Sequence, residues 1–363
     1  HRDLHVRSRR QRQMCIRDRI LGHKRAKLAW YTIDPLFFRS TSITPPNVNK
    51  TLILANGNTI PQQSYHYARE ILETEVFPNK DPDLGSQITN LSVLDVAYYP
   101  KERGPYNYTI DGINANGKLD APDKNWGGMM RKLETNDFEA ANIEFIEFWM
   151  MDPFNEDDGL GVGHHSGGDM YIHLGNVSED VLKDGYKSFE NGLPNSTIVE
   201  DVETTAWGRV PTNFSIVEAF DNDPTSREYQ DVGLDGLRDI DERLFFDSVY
   251  LQRLNSVLTD SVYDQTIKDP SADNFHYFRG TDFDNAETPL LQRYKNFNNV
   301  DGNSATIEQS IESYATSASS LPNTEDINRD NTLGESESYF QYKVNISPQT
   351  MNISNPYISD VLQ

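Results

Sequence analysis

Several segments of the chain alternate apolar and polar residues with the period of a half-buried strand. In residues 169–174, Met170, Ile172 and Leu174 fall on one face and Tyr171 and His173 on the other. Phe340, Tyr342, Val344 and Ile346 alternate in the same way with Gln341, Lys343 and Asn345. NLSVLDVAYYP (90–100) and NFSIVEAFDN (213–222) are also strand-like and are bounded by Asn, Asp or Pro turn chemistry. ANIEFIEFWMMDP differs, because Phe148, Trp149, Met150 and Met151 make both of its faces apolar. That pattern predicts a central strand over 143–151, covered on both sides and anchoring the core.

Helical spacing is rarer. It is found over 62–76 and over 241–268, the latter through Leu244, Leu251, Leu254, Leu258 and Val262 with Pro270 just past its end. SEDVLKDGYKSFENG (178–192) predicts a short helix with acids in its first turn, closed by Gly192. Residues 269–335 are rich in Asn, Asp, Ser and Gly with little periodicity, which is the composition of a linker.

The expected fold is mainly β with a few helices, a jelly-roll-like β-sandwich with long loops. Its parts are a lead-in segment (20–60) with AKLAWYTID as a barrel-edge strand, a sandwich (61–240), a helix (241–268), a polar linker (269–335) and the start of a second, truncated β-domain (336–363).

Charge narrows the partners. The 363 residues carry a net charge of −23, yet residues 1–27 hold ten basic residues against two acids, so the remainder is more acidic still. Such a surface repels phosphate backbones, and no nucleic-acid partner is expected. The basic start also holds the single cysteine, Cys15, so no intrachain disulfide or multi-cysteine zinc site can form. Within it, MCIRDR resembles a translated sequencing adapter, and residues 1–19 are read as an artefact outside the fold. No apolar run reaches the roughly 18 residues of a spanning helix.

Three segments have the residue types of a binding site. DINRDNTLGESE (326–337) places Asp326, Asn328, Asp330, the Thr332 carbonyl and Glu337 at the oxygen-donating positions of a twelve-residue calcium loop. Position six is Asn331 rather than Gly, a residue that tolerates the left-handed turn better than most. QDVGLDGLRDIDE (230–242) offers Asp231, Asp235, Asp239, Asp241 and Glu242, and reads first as an acidic approach to the following helix. GLGVGHHSGG (159–168) leads into a strand and has no Lys-Ser or Lys-Thr, so it reads as a turn and not as a phosphate loop; adjacent His164 and His165 cannot readily share one strand face. There is no HExxH, GxSxG or Cys-His arrangement, so no enzyme is expected. No cofactor is required, and calcium is the one ion the loops would take.

Longer blocks carry a resemblance. RAKLAWYTIDPLFF (25–38), LDVAYYPKERGPYNY (94–108), NWGGMMRKLETNDFEAANIEFIEFWMMDPF (125–154), REYQDVGLDGL (227–237) and TEDINRDNTLGESESYFQYKV (324–344) are similar to the SprA family, also called Sov. The resemblance runs in order from about residue 24 to the end. It implies an internal fragment of the giant outer-membrane β-barrel of the type IX secretion system, active in protein export and gliding motility in Bacteroidota. It further implies a PorV-type outer-membrane partner, a plug protein and secreted cargo, all through the full-length parent. The fragment would be a soluble insertion between barrel strands, at the outer membrane or cell surface of a Gram-negative bacterium. The competing reading is a calcium-dependent cell-surface β-sandwich module for a glycan or protein ligand.

Overall fold

The computed structural model describes residues 24–39, 44–48, 50–53, 59–79, 89–135, 137–154, 167–182, 193–194, 196, 201–212, 220–221, 223–298 and 324–350. Residues 1–23, most of the glycine-histidine loop, most of the segment expected as a helix over 178–192 and residues 213–219 lie outside them.

Ten strands are described: β1 (Ala26–Tyr31), β2 (Thr51–Ile53), β3 (Thr59–Pro61), β4 (Ile71–Leu72), β5 (Asn90–Leu91), β6 (Asp95–Arg103), β7 (Gly168–Asn176), β8 (Val202–Thr204), β9 (Arg209–Pro211) and β10 (Ser338–Ile346). They form five two-stranded antiparallel ribbons, β1–β6, β2–β3, β4–β5, β7–β10 and β8–β9. Seven short helices accompany them: α1 (Glu73–Val76), α2 (Pro224–Gln230), α3 (Asp239–Phe245), α4 (Gln252–Asn255), α5 (Asp260–Thr266), α6 (Thr281–Asn285) and α7 (Leu290–Arg293). Among the described residues there is no closed barrel and no sheet wider than two strands, and small antiparallel sheets and short helices are present in roughly equal measure.

The alternating segments are strands as their period requires. Phe340, Tyr342 and Val344 of β10 stand opposite Leu174, Ile172 and Met170 of β7, so the two apolar rows share one face. This pairing joins the last described strand to the middle of the chain. In β1–β6, Ala29 faces Ala97 and Tyr31 faces Asp95, while Ala29 and Tyr31 enter a buried cluster.

Three expectations are corrected. Residues 143–151 belong to no ribbon, and their apolar side chains are exposed, Phe145 by 73% and Trp149 by 47%. A strand apolar on both faces needs a neighbour on each edge and cover on each face, and the described residues supply neither.

The predicted helix over 62–76 survives only as a single 3-10 turn (Gln62–Ser64) and as α1. Gln62 is held instead by tertiary bonds, donating to the Asn47 carbonyl and accepting from Leu290 N at 2.9 Å. The predicted helix over 241–268 is broken twice. A π turn over Asp247–Leu251 widens it, with Leu251 N reaching Phe246 O, and Thr259 N leaves the helix to donate to Ala115 O at 3.0 Å.

The third correction concerns the supposed linker. Tyr277, Phe278, Leu290 and Tyr294 are buried, and they close the first hydrophobic cluster over Ala29, Tyr31, Phe37 and Val48. Tyr294 stacks on Tyr31 at 4.5 Å and on Phe278 at 4.9 Å, and its hydroxyl accepts Asp34 N at 2.9 Å. Aromatic residues without helical or strand period gave no pattern to read, yet they supply much of the core. A second cluster gathers Tyr106, Tyr108, Trp207, Leu234, Leu237, Phe246, Tyr250, Leu254 and Leu258.

Tyr294→Ala should lower stability by about 3–5 kcal/mol, as for other large-to-small aromatic truncations, whereas Tyr294→Phe should cost only about 1 kcal/mol for the lost acceptor. Urea denaturation of the two variants measures both; equal losses would show that the ring is not what the cluster needs.

Candidate metal centre

The turn before α3 is shaped by two glycines with positive φ, Gly233 (+55°) and Gly236 (+67°). A Cβ on Gly233 would lie 2.1 Å from Asp273 Oδ2 and 2.8 Å from the Tyr106 hydroxyl, so only glycine lets the turn approach. Tyr106 fixes it further by accepting Leu234 N at 2.7 Å. Asp235 is thereby buried, with Oδ1 accepting Leu237 N at 2.9 Å and Oδ2 accepting the Ser271 hydroxyl at 2.7 Å. One turn into α3, Glu242 accepts Ser271 N at 3.0 Å. The segment 269–273 closes the group from the other side, Asp269 Oδ1 accepting Asp273 N at 3.1 Å. Asp239 takes the Asn274 amide at 3.2 Å, and Arg103 of β6 reaches in to donate to the Asp269 carbonyl at 3.2 Å.

Two trios of carboxylates result, Asp235 with Glu242 and Asp273, and Asp239 with Glu242 and Asp269, each with ligand oxygens within 4.8 Å of one another. An all-oxygen donor set of this kind suits a hard divalent cation and not a thiophilic one. Burial penalises the charged forms. It pushes the Asp235 carboxyl up to about 7 and Asp239 up to about 6. Glu242 rises well above the usual range, through burial first and then repulsion from Asp235 and Asp269. Negative charge here must be relieved either by protons or by a cation.

The calcium-loop residues lie elsewhere. Asp326 is buried and spends both oxygens on its own loop, accepting Asp330 N at 3.1 Å and Asn331 N at 2.9 Å. Asn328 Oδ1 accepts Asp330 N at 2.8 Å, and Asp330 Oδ1 accepts Thr332 N at 2.8 Å. Asn331 takes the left-handed conformation expected of it, with φ +61°. Glu179 clamps the loop from outside, accepting Asn328 N at 3.2 Å and Gly334 N at 3.0 Å. Among the described residues Asp326, Asp330 and Glu337 form no trio of converging carboxylates.

Sequence reasoning singled out Asp235, Asp239 and Glu242 but read them chiefly as a helix approach. It missed Asp269 and Asp273, which lie in the supposed linker some thirty residues away. The spacing DPSAD carries no motif; only the fold brings it to the turn.

A carboxyl whose folded-state value is raised keeps its proton over a range where the unfolded chain has lost it, so stability falls as pH rises. For Asp235 that fall begins near the ordinary carboxylate value of 3.8 and ends above about 7. In metal-free buffer, unfolding free energy should drop between pH 5 and pH 7 by up to ~1.4 kcal/mol per pH unit for each such proton. Asp235→Asn should flatten the slope in urea titrations; an unchanged slope would remove Asp235 as its source.

Residues 249–363 match the family model SprA_N, described as a motility related/secretion protein. No curated protein matches the chain. The matched segment is not a separable piece. Its residues Tyr250, Leu254 and Leu258 sit in the second cluster, Tyr277, Phe278, Leu290 and Tyr294 in the first, and β10 pairs with β7 of the unmatched part. Over residues 249–363, about a third of the chain, the sequence is similar to the SprA_N family of motility related/secretion proteins.

Proposed function

We propose that the chain is a non-catalytic structural and gating module of a type IX secretion translocon in the outer membrane of a Gram-negative bacterium. The observation that carries this reading is the family match over 249–363, a segment whose side chains fill both hydrophobic clusters. A module built this way transmits force and position through packing and has no need of a reactive group. No described helix is long and apolar enough to cross a membrane. The PorV-type protein, the plug protein and secreted cargo are the partners this reading assigns to the full-length parent.

A second reading, a calcium-dependent surface module for a glycan or protein ligand, is favoured by one observation, the two converging carboxylate trios. Calcium would take those oxygens, or those of the 326–337 loop, and no other cofactor is called for.

Removing residues 125–220 from the full-length parent should leave type IX cargo in the periplasm, scored by immunoblot of culture supernatant against cell extract. Normal secretion would overturn the first reading. For the second, calorimetric titration of the chain with calcium, then with cell-surface polysaccharide, should give saturable heat; none with either ligand would remove it.

A further inference from the structure

Near the turn that carries the buried acids lies a small cavity of about 80 Å3 whose lining includes Pro194, Arg209, Tyr229, Val232, Arg238 and Asp241. That is well above the roughly 10–15 Å3 one water needs, and small enough to hold a single polar group. Its two arginines are placed by rigid backbone. Arg209 opens β9, and its N–H donates to Asp235 O at 2.8 Å. Gly236 lies so close that a Cβ there would sit 2.4 Å from Arg209 O, at a φ of +67° that favours glycine. Arg238 immediately precedes α3, and its carbonyl accepts Asp241 N at 2.7 Å.

Among the described residues lining the pocket, two arginines stand beside one carboxylate. Arg238 Nε donates to Asp241 Oδ2 at 3.2 Å, and Arg209 Nη1 stands 3.7 Å from the same oxygen, too far for a hydrogen bond. Arg209 thus donates no side-chain hydrogen bond among the described residues, and Arg238 uses only its Nε–H while its guanidinium lies 5.1 Å from the Tyr229 ring centre. Their side chains are 32% and 24% exposed, so each is partly withdrawn from water while remaining open to a ligand group. The nearest other acids are committed elsewhere: Asp231 to Arg227 at 3.3 Å, Asp239 to Asn274 and Asp235 to Ser271. Among the described residues, two partly buried guanidiniums therefore share one carboxylate in a chain that is otherwise strongly acidic.

We propose that this pocket binds one carboxylate of a peptide ligand, held on the guanidinium of Arg209 with Arg238 alongside. A planar carboxylate matches the guanidinium fork with two parallel hydrogen bonds, a fit that neither chloride nor water can reproduce. Pro194, Val232 and the face of Tyr229 form an apolar wall for the carbon chain next to the carboxylate. Asp241 is the built-in competitor, since it occupies part of the cationic surface before any ligand arrives. The site stands independently of the translocon reading, because it rests on no residue of the family-matched segment.

Ligand-observed NMR of the intact chain with N-acetylglycine as probe should show saturable binding, and N-acetylglycinamide, which lacks the charge, should show none. Arg209→Gln and Arg238→Gln should each weaken the probe by about tenfold, the loss of one charge-assisted hydrogen-bonded contact. Asp241→Asn should tighten it, a gain that damage to the fold would not produce and that decides the matter even where an arginine variant fails to fold. Absence of saturable binding, equal binding of the amide, or a weaker site in Asp241→Asn would overturn the proposal. Tighter binding of sulfate or glucuronate than of N-acetylglycine would overturn its assignment to a peptide carboxylate.

Discussion

The stack of Tyr31, Tyr294 and Phe278 is the contact on which the first half of the structure depends. Two-stranded ribbons cannot bury their own faces and are marginal alone. β1–β6 therefore has to borrow cover, and it comes from a segment more than two hundred residues away. Arg293, next to Tyr294, is fully buried and secures the return by bonding Asn47 at 2.9 Å and the Thr288 carbonyl at 3.1 Å while pairing with Asp284 at 2.9 Å. Those bonds tie α6 and α7 to the loop around Asn47, so the aromatic rings meet β1 in a fixed orientation. A buried ion pair of this kind fixes geometry more than it adds stability, because desolvation offsets most of its attraction.

The second cluster obeys a different constraint. Its apolar side chains surround the turn bearing Asp235, and Tyr106 and Tyr108 join the two by offering hydroxyls to the turn and rings to the core. Tyr108 stacks on Phe246 at 4.3 Å while its hydroxyl meets the Ser271 hydroxyl at 2.8 Å. The same burial that stabilises these rings raises the carboxyls beside them, so packing and protonation are linked. Arg103 moderates the effect by crossing from β6 to the carbonyls of 269–270, bringing positive charge to the edge of the group.

How much of this was legible followed from how local each signal is. β6, β7 and β10 were readable because a period of two survives without knowledge of the partner, and the pairing of β7 with β10 was not, because register lies between strands and not within them. The helices were overextended because spacing reports a face but not a competitor. At Gln62 and Thr259 the competitor is a tertiary hydrogen bond to Asn47 or Ala115. Residues 143–151 show the converse, since their pattern states a need for cover without saying what would meet it. Of the acidic centre, the half carried by 235–242 stood out as a dense run, and the half at Asp269 and Asp273 did not, being two ordinary acids in a polar stretch.

The acidic centre lies at the seam of the molecule. Asp269 and Asp273 come from the family-matched segment, Asp235, Asp239 and Glu242 from the stretch before it, and Arg103 and Tyr108 from the region of β6. Burial against these three parts is what raises the carboxyls above ordinary acidity, so exposing them to water would return them toward it. The polar groups that cost most to bury are thus the ones that register whether the pieces of the chain have come together.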